Sequence, residues 1–251
     1  MQIPEPLKHC YARTLRVHDD QGKPCSSFVL GYEEQQWLVT ARHVVQTDSG
    51  ELRDFEVLET DGTSHSGSSL ERLEMTFPFA DVTVFRLWAE YVSLEPPLEP
   101  YRGEVIPTQR VYFLGFPDLG EPLRYGLRYD SLTTPFIKKA IVSGEVMHRS
   151  GLMNNIWLLD ALAHHGFSGG PVLVREPKSE GYLVHGVISG YVPSNVRVLP
   201  GVVAATPMQI GDAPPLPHEA FSETNSGLAV CFGIGHALAD IDAQLRADSA
   251  E

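Results

Sequence analysis

Cysteine is scarce: the 251-residue sequence has three, Cys10, Cys25 and Cys231. An odd number leaves at least one thiol unpaired, and their spacing fits no metal-binding pattern. These cysteines fit a reducing compartment better than a disulfide scaffold, and a cytoplasmic setting is expected. Basic residues are also few, 19 Lys and Arg against 32 Asp and Glu, for a formal net charge of −13. A phosphate backbone would be repelled over most of such a surface, so no nucleic-acid partner is expected. No apolar run is long enough to span a bilayer, and MQIPEPLKHCYARTL lacks a continuous apolar segment of signal-peptide length. Neither export nor a membrane partner is expected. Fixed-period repeats are absent, and SHSGSSL at 64–70 is the sole low-complexity stretch, which sets repeat architectures aside.

What is present is a chain of ordinary hydrophobic content, 43%, broken by 22 Gly and 19 Pro. This length supports one globular unit spanning 1–251 with a sizeable core. Short β-branched and aromatic runs such as SSFVLGY, QQWLVTA, ADVTVFRL, RVYFLGF, KKAIVSGEV, NIWLLDA, GPVLVRE and YLVHGVISGYV alternate with turn residues. That pattern predicts an all-β barrel or sandwich. The Pro-rich text SLEPPLEPYRGEVIPTQ at 93–109 reads as a crossover between two halves, about 8–92 and 110–233. A second breaker-rich stretch, 199–226, reads as a surface insertion. After it, GLAVCFGI reads as a last strand and 235–247 as an amphipathic helix, with Leu238, Ile241 and Leu245 spaced by three and four.

The sharpest chemical signal is Gly166-Phe167-Ser168-Gly169-Gly170-Pro171, followed at once by the strand-like VLV. Acyl transfer needs backbone that approaches a substrate closely and aims two N–H groups at a developing oxyanion. Gly166 and Ser168 are the expected amide donors. An ordinary glycine-rich hairpin would carry similar residues. A serine hydroxyl is a weak nucleophile without a positioned base. His43 is the expected base because Trp37-Leu38-Val39-Thr40-Ala41 reads as a buried strand ending just before it. The carboxylate that holds the imidazole in one tautomer is expected at Asp81, at the head of the alternating run DVTVFRL. Asp48, Asp54 and Asp61 stand in poorer contexts. His164 and His165 invite a metal reading, but adjacent side chains of an extended segment point apart, and neither metal nor cofactor is expected.

The order His, Asp, Ser with these surroundings resembles the trypsin/chymotrypsin superfamily, in particular its bacterial HtrA/Deg-type branch. SSFVLGYEEQQWLVTARHVV looks like the strand pair leading to the catalytic histidine, and ADVTVFRL like the segment bearing the aspartate. NIWLLDALAHHGFSGGPVLV looks like the nucleophile segment, VHGVISGYV like the cleft strand, and GLAVCFGIGHALADIDAQL like the closing strand and terminal helix. The resemblance implies a double six-stranded β-barrel with a C-terminal α-helix and a serine endopeptidase with the triad His43, Asp81 and Ser168. It also implies a specificity pocket lined by Leu162, Ser189 and Gly190, which favours apolar or small side chains because no acidic residue stands at its base. A protein or peptide substrate is the implied partner, with a regulatory protein as a further candidate. Three departures stand out: Phe167 where the family often has Asn or Asp, Arg42 in place of a small residue, and no counterpart of the secreted enzymes' disulfides. No PDZ domain is expected within these residues. The alternatives are an inactive protease-fold module that binds peptides along a strand edge, and a serine esterase. The text lacks the G-x-S-x-G elbow of α/β-hydrolases.

Overall fold

A computed structural model describes residues 5–47, 49–59, 62–87, 97–118, 134–146, 155–176, 181–198 and 220–250. The chain starts with α1 (Glu5–Arg13), which the sequence reading did not anticipate. Nine residues are too few for a stable isolated helix. Burial of Leu7, Cys10 and Tyr11, on one face at spacings of three and four, holds it in place.

The first half is a seven-stranded antiparallel sheet. Its strands are β1 (Thr14–His18), β2 (Pro24–Tyr32), β3 (Gln35–Thr40), β4 (Glu56–Leu58), β5 (Ser64–Ser66), β6 (Glu71–Arg72) and β7 (Thr83–Arg86), in the order β5-β4-β1-β2-β3-β7-β6. It curls into a half-barrel that stays open between its two short edge strands. The second half closes fully into a six-stranded barrel. There β8 (Arg110–Gly115), β9 (Phe136–Val146), β10 (Ile156–Asp160), β11 (Pro171–Arg175), β12 (Tyr182–Val198) and β13 (Ala220–Gly233) run in the order β10-β13-β12-β11-β8-β9. With the one-turn α2 (Arg42–Val45) and the terminal α3 (Gly235–Asp248), this is the expected mostly-β fold of two barrel-like sheets and a C-terminal helix. Of the stretch read as an insertion, residues 199–219 lie outside the described residues, and β13 already begins at Ala220.

Strand period two explains how three cores form. On β2, β3 and β7 alternate residues face opposite ways. Phe28, Leu30, Trp37, Val39 and Val84 enter one cluster, and Val29, Leu38 and Phe85 enter another with Val44, Val45 and Phe55. The first cluster is the seam of the molecule. It also takes Leu7, Cys10 and Tyr11 from α1, Leu114, Leu173 and Val187 from the closed barrel, and Ala237 and Ile241 from α3. The third fills the closed barrel around Phe113, Val142, Leu159 and Phe167. Helix α3 is tied back to the first half at three points, two on the sheet and one on the β6–β7 connection. Asp240 accepts from the Thr76 amide at 2.6 Å, Asp242 accepts from the Tyr32 hydroxyl at 3.0 Å, and Asp248 pairs with Arg86. Among the described residues no helix is long and apolar enough to cross a membrane.

Inside the second half, His185 on β12 lies edge-on to Trp157 at 5.6 Å between ring centroids, and its Nε2 has no hydrogen-bond partner among the described residues. Burial drives its pKa down from the ordinary 6.5 to about 4. In that window the unfolded chain binds a proton that the folded chain refuses, so stability rises with pH between the two values, by about 3 kcal/mol in total. The urea midpoint is expected to fall as pH drops from about 7 to about 4.5, with a shallower fall in His185→Phe. Identical slopes in the two proteins would show that another group carries the effect.

Candidate active site

The ladder between β3 and β7 brings the first two site residues together. Thr40 pairs with Thr83 in antiparallel register. The chain leaving β3 therefore runs beside the chain arriving at β7, and residue 43 meets residue 81. Burial of Ala41, Val44 and Val45 pins α2 down and leaves the His43 side chain half-exposed, at 51%. Asp81 accepts twice from His43: Nδ1–H donates to Oδ2 at 2.6 Å and the backbone N–H donates to Oδ1 at 2.9 Å. The Ser189 hydroxyl donates to Oδ2 at 2.5 Å. Burial alone would push the Asp81 carboxyl up, but the hydrogen bonds and charge of His43 and the Ser189 hydroxyl outweigh it and hold the pKa below the usual value. With Nδ1–H committed to the carboxylate, Nε2 carries the free lone pair.

Ser168 sits on the turn leading into β11, and its glycines are there for space. Gly166 has φ +89° and Gly169 φ +85°. A Cβ on Gly166 would lie 2.3 Å from the Phe116 carbonyl oxygen, and one on Gly169 would lie 1.9 Å from that of Ser26. The loop's amides divide sharply. Those of Phe167, Gly169 and Gly170 donate to the carbonyls of His164 (3.3 Å), Ile188 (2.7 Å) and Phe167 (2.9 Å). Those of Gly166 and Ser168 have no partner among the described residues. The His165 carbonyl accepts from the Asp118 amide at 2.7 Å, so the planar trans peptide aims the Gly166 N–H the opposite way. Ser26 clamps the loop from the first sheet. Its amide donates to the Ser168 carbonyl at 2.9 Å and its hydroxyl to the Gly166 carbonyl at 2.6 Å, while it accepts from the Phe116 amide at 2.9 Å. Gly169→Ala is expected to destabilise the protein by about 3 kcal/mol or more, read as a lower urea midpoint, because backbone rather than a flexible side chain blocks the new methyl group.

The Ser168 hydroxyl donates to the Ser189 carbonyl at 3.0 Å rather than to His43. Ser189, expected on the pocket wall, thus touches both Asp81 and Ser168. This double role, like the Ser26 clamp, was missed by sequence reasoning. Leu162 is 53% exposed, and the face of Gly190 opens on empty space, with nothing within 4 Å of the point where a Cβ would stand. Phe167, one of the three departures from the family pattern, is fully buried and packs edge-on against Phe113 at 5.1 Å between centroids. Its side chain anchors the loop in the barrel core and leaves the flanking amides unobstructed. Arg42 donates to the Pro78 carbonyl. His165 packs on Tyr191 at 5.8 Å. The thiols do not compete as nucleophiles: burial pushes Cys10 and Cys25 up to about 12 and raises Cys231 as well.

A closed six-stranded barrel joined to a half-barrel and a terminal helix, with His43 and Asp81 on one sheet and Ser168 on the other, defines the chymotrypsin-like fold. Residues 25–179 match the family described as the trypsin-like peptidase domain, and the chain belongs to that family. Its structure is similar to the active form of the Rv3671c protease from M. tuberculosis, with TM-score 0.57 and 14% identity over 95% of this chain and 83% of that one. An inactive mutant form of Rv3671c from M. tuberculosis H37Rv gives TM-score 0.55 and 14% identity over 95% and 89%. The HtrA-type protease AlgW, solved with a tripeptide, gives 0.55 and 16% over 93% of this chain and 60% of AlgW. At these identities the likeness is one of fold. Among curated proteins no sequence matches the chain.

Proposed function

We propose that this protein is a serine endopeptidase in which Ser168 is the nucleophile, His43 the general base and Asp81 the residue that orients it. One observation carries the reading: a continuous set of contacts runs from His43 to Asp81, on to the Ser189 hydroxyl, and from the Ser189 carbonyl to the Ser168 hydroxyl, beside two uncommitted amides. On this reading a rotation about χ1 of Ser168, which breaks a single hydrogen bond, is what brings the hydroxyl to Nε2 of His43. The same rotation frees the Ser189 carbonyl to accept an N–H from a peptide laid along Ser189–Tyr191. Ser168 Oγ then attacks the scissile carbonyl as His43 takes its proton. The tetrahedral oxyanion is bound by the amides of Gly166 and Ser168, and His43 returns the proton to the leaving amine. Leu162 and the open face of Gly190 would receive an apolar or small side chain. The three free thiols support a reducing compartment.

The resting hydrogen bond of Ser168 to Ser189, and not to His43, is the observation that favours the second reading, an inactive peptide-binding module. A fluorophosphonate probe separates the two. Stoichiometric labelling of the wild type, absent in Ser168→Ala, is expected for the enzyme. An unlabelled, folded wild type would leave only the binding module.

A further inference from the structure

Strand β9 carries an ammonium on its inward face. Inward residues of a strand recur every second position, and Ala140 and Val142 are buried in the closed barrel. Lys138 shares their parity at the mouth of the barrel, opposite Phe113 on β8. Its Nζ donates to the carbonyl of Leu162 and lies 5.2 Å from the centre of the Phe167 ring. It therefore touches both ends of the segment that places the two uncommitted amides: Leu162 opens the loop, and Phe167 sits between Gly166 and Ser168. We propose that Lys138 is a positioning residue for the oxyanion loop, its ammonium holding the Leu162 carbonyl and the Phe167 ring so that the Gly166 and Ser168 amides face the cleft. This rests on the serine endopeptidase reading above.

The chemistry of that place suits a cation. A carbonyl oxygen and the negative face of an aromatic ring both attract positive charge, and a partly desolvated site strengthens both attractions. Among the described residues Lys138 has no carboxylate within ion-pair distance, so its charge is not spent on a neighbour. The titratable group facing it is His164, whose imidazole is pushed toward the neutral form by burial first and by the Lys138 charge second, with His165 next to His164 on the same loop. From β8 it meets the uncharged Phe113. Burial lowers the Lys138 pKa below the ordinary lysine value. The folded chain thus gives up this proton more readily than the unfolded chain, and the group's contribution to stability rises rather than falls as pH climbs through that window. Lost catalysis on the alkaline side without lost stability is a signature that a merely structural lysine would not give.

The test compares wild type, Lys138→Met and Lys138→Arg by the rate of fluorophosphonate capture as a function of pH, together with amide hydrogen exchange of the peptide covering 161–170. Lys138→Met is expected to slow capture about tenfold, with faster exchange of that peptide and little change in Tm. Lys138→Arg, which keeps the charge, the donors and the ring stacking, is expected to recover wild-type capture to within about threefold. The wild type is expected to lose capture at alkaline pH where Lys138→Arg does not. The proposal is overturned if Lys138→Met is captured as fast as wild type, if Lys138→Arg is no better than Lys138→Met, or if the alkaline limb persists unchanged in Lys138→Arg. A wild type that the probe does not label sinks the endopeptidase reading instead. In that case the exchange arm alone decides, and unchanged exchange in Lys138→Met overturns the positioning role.

Discussion

Ser168→Ala is expected to lower kcat on peptide substrates by a factor on the order of a million while leaving the fold intact. The loss is large because the proposed nucleophile has no substitute nearby: Cys10 and Cys231 are buried, Cys25 is half-buried, all three are held in their protonated form, and His43 without a hydroxyl to activate has only water to work on. The fold is expected to survive because the side chain's own tie is one hydrogen bond to the Ser189 carbonyl, whereas the backbone of the residue is held by Ser26. The measurement is kcat alongside a urea unfolding curve. A variant that retains a tenth of wild-type turnover would refute the assignment of the nucleophile.

Asp81→Asn is expected to cost a factor on the order of ten thousand in kcat, a size set by the equivalent change in a well-studied enzyme of the same triad chemistry. Both carboxylate oxygens are in use. Oδ1 accepts from the His43 amide, and Oδ2 accepts from Nδ1–H and from the Ser189 hydroxyl. An Asn side chain has one acceptor and one donor. If its oxygen keeps the backbone contact, its NH2 faces Nδ1, and the imidazole must move its proton to Nε2, the atom that has to accept from Ser168. The expected profile is a collapse of kcat with KM little changed, since the peptide contacts proposed along Ser189–Tyr191 are untouched. A mild loss of less than about tenfold would mean that the carboxylate does not set the tautomer.

The candidate site and the fold were legible in the sequence to different depths. His43, Asp81 and Ser168 could be picked out because each stands at the end of a strongly patterned strand, and strand ends are where a ladder delivers side chains to a cleft. The glycines at 166 and 169 were legible because few other residues tolerate such turns. Ser26 was not, since its clamp depends on a partner 140 positions away and its own surroundings read as ordinary strand. The Ser189 hydroxyl reaching Asp81 is equally long-range. Lys138 carried a local signal, a charge on the inward parity of a strand, that passes unnoticed until the strand's register is known. Helix α1 was overlooked because its apolar stripe of Leu7, Cys10 and Tyr11 is short and draws its stability from the seam. The half-barrel's failure to close turns on edge strands of two and three residues, too brief to leave a pattern.

The three ties from α3 to the first half make the tail of the chain a mechanical part of the site, although none of its residues approaches the groove. The proposed acid–base pair and the proposed nucleophile ride on opposite halves, so their alignment is only as good as the strap that spans them. Wear at this distant buckle, whether by nicking or by a charge change at Asp242 or Asp248, would register first as blunted chemistry and only later as unfolding.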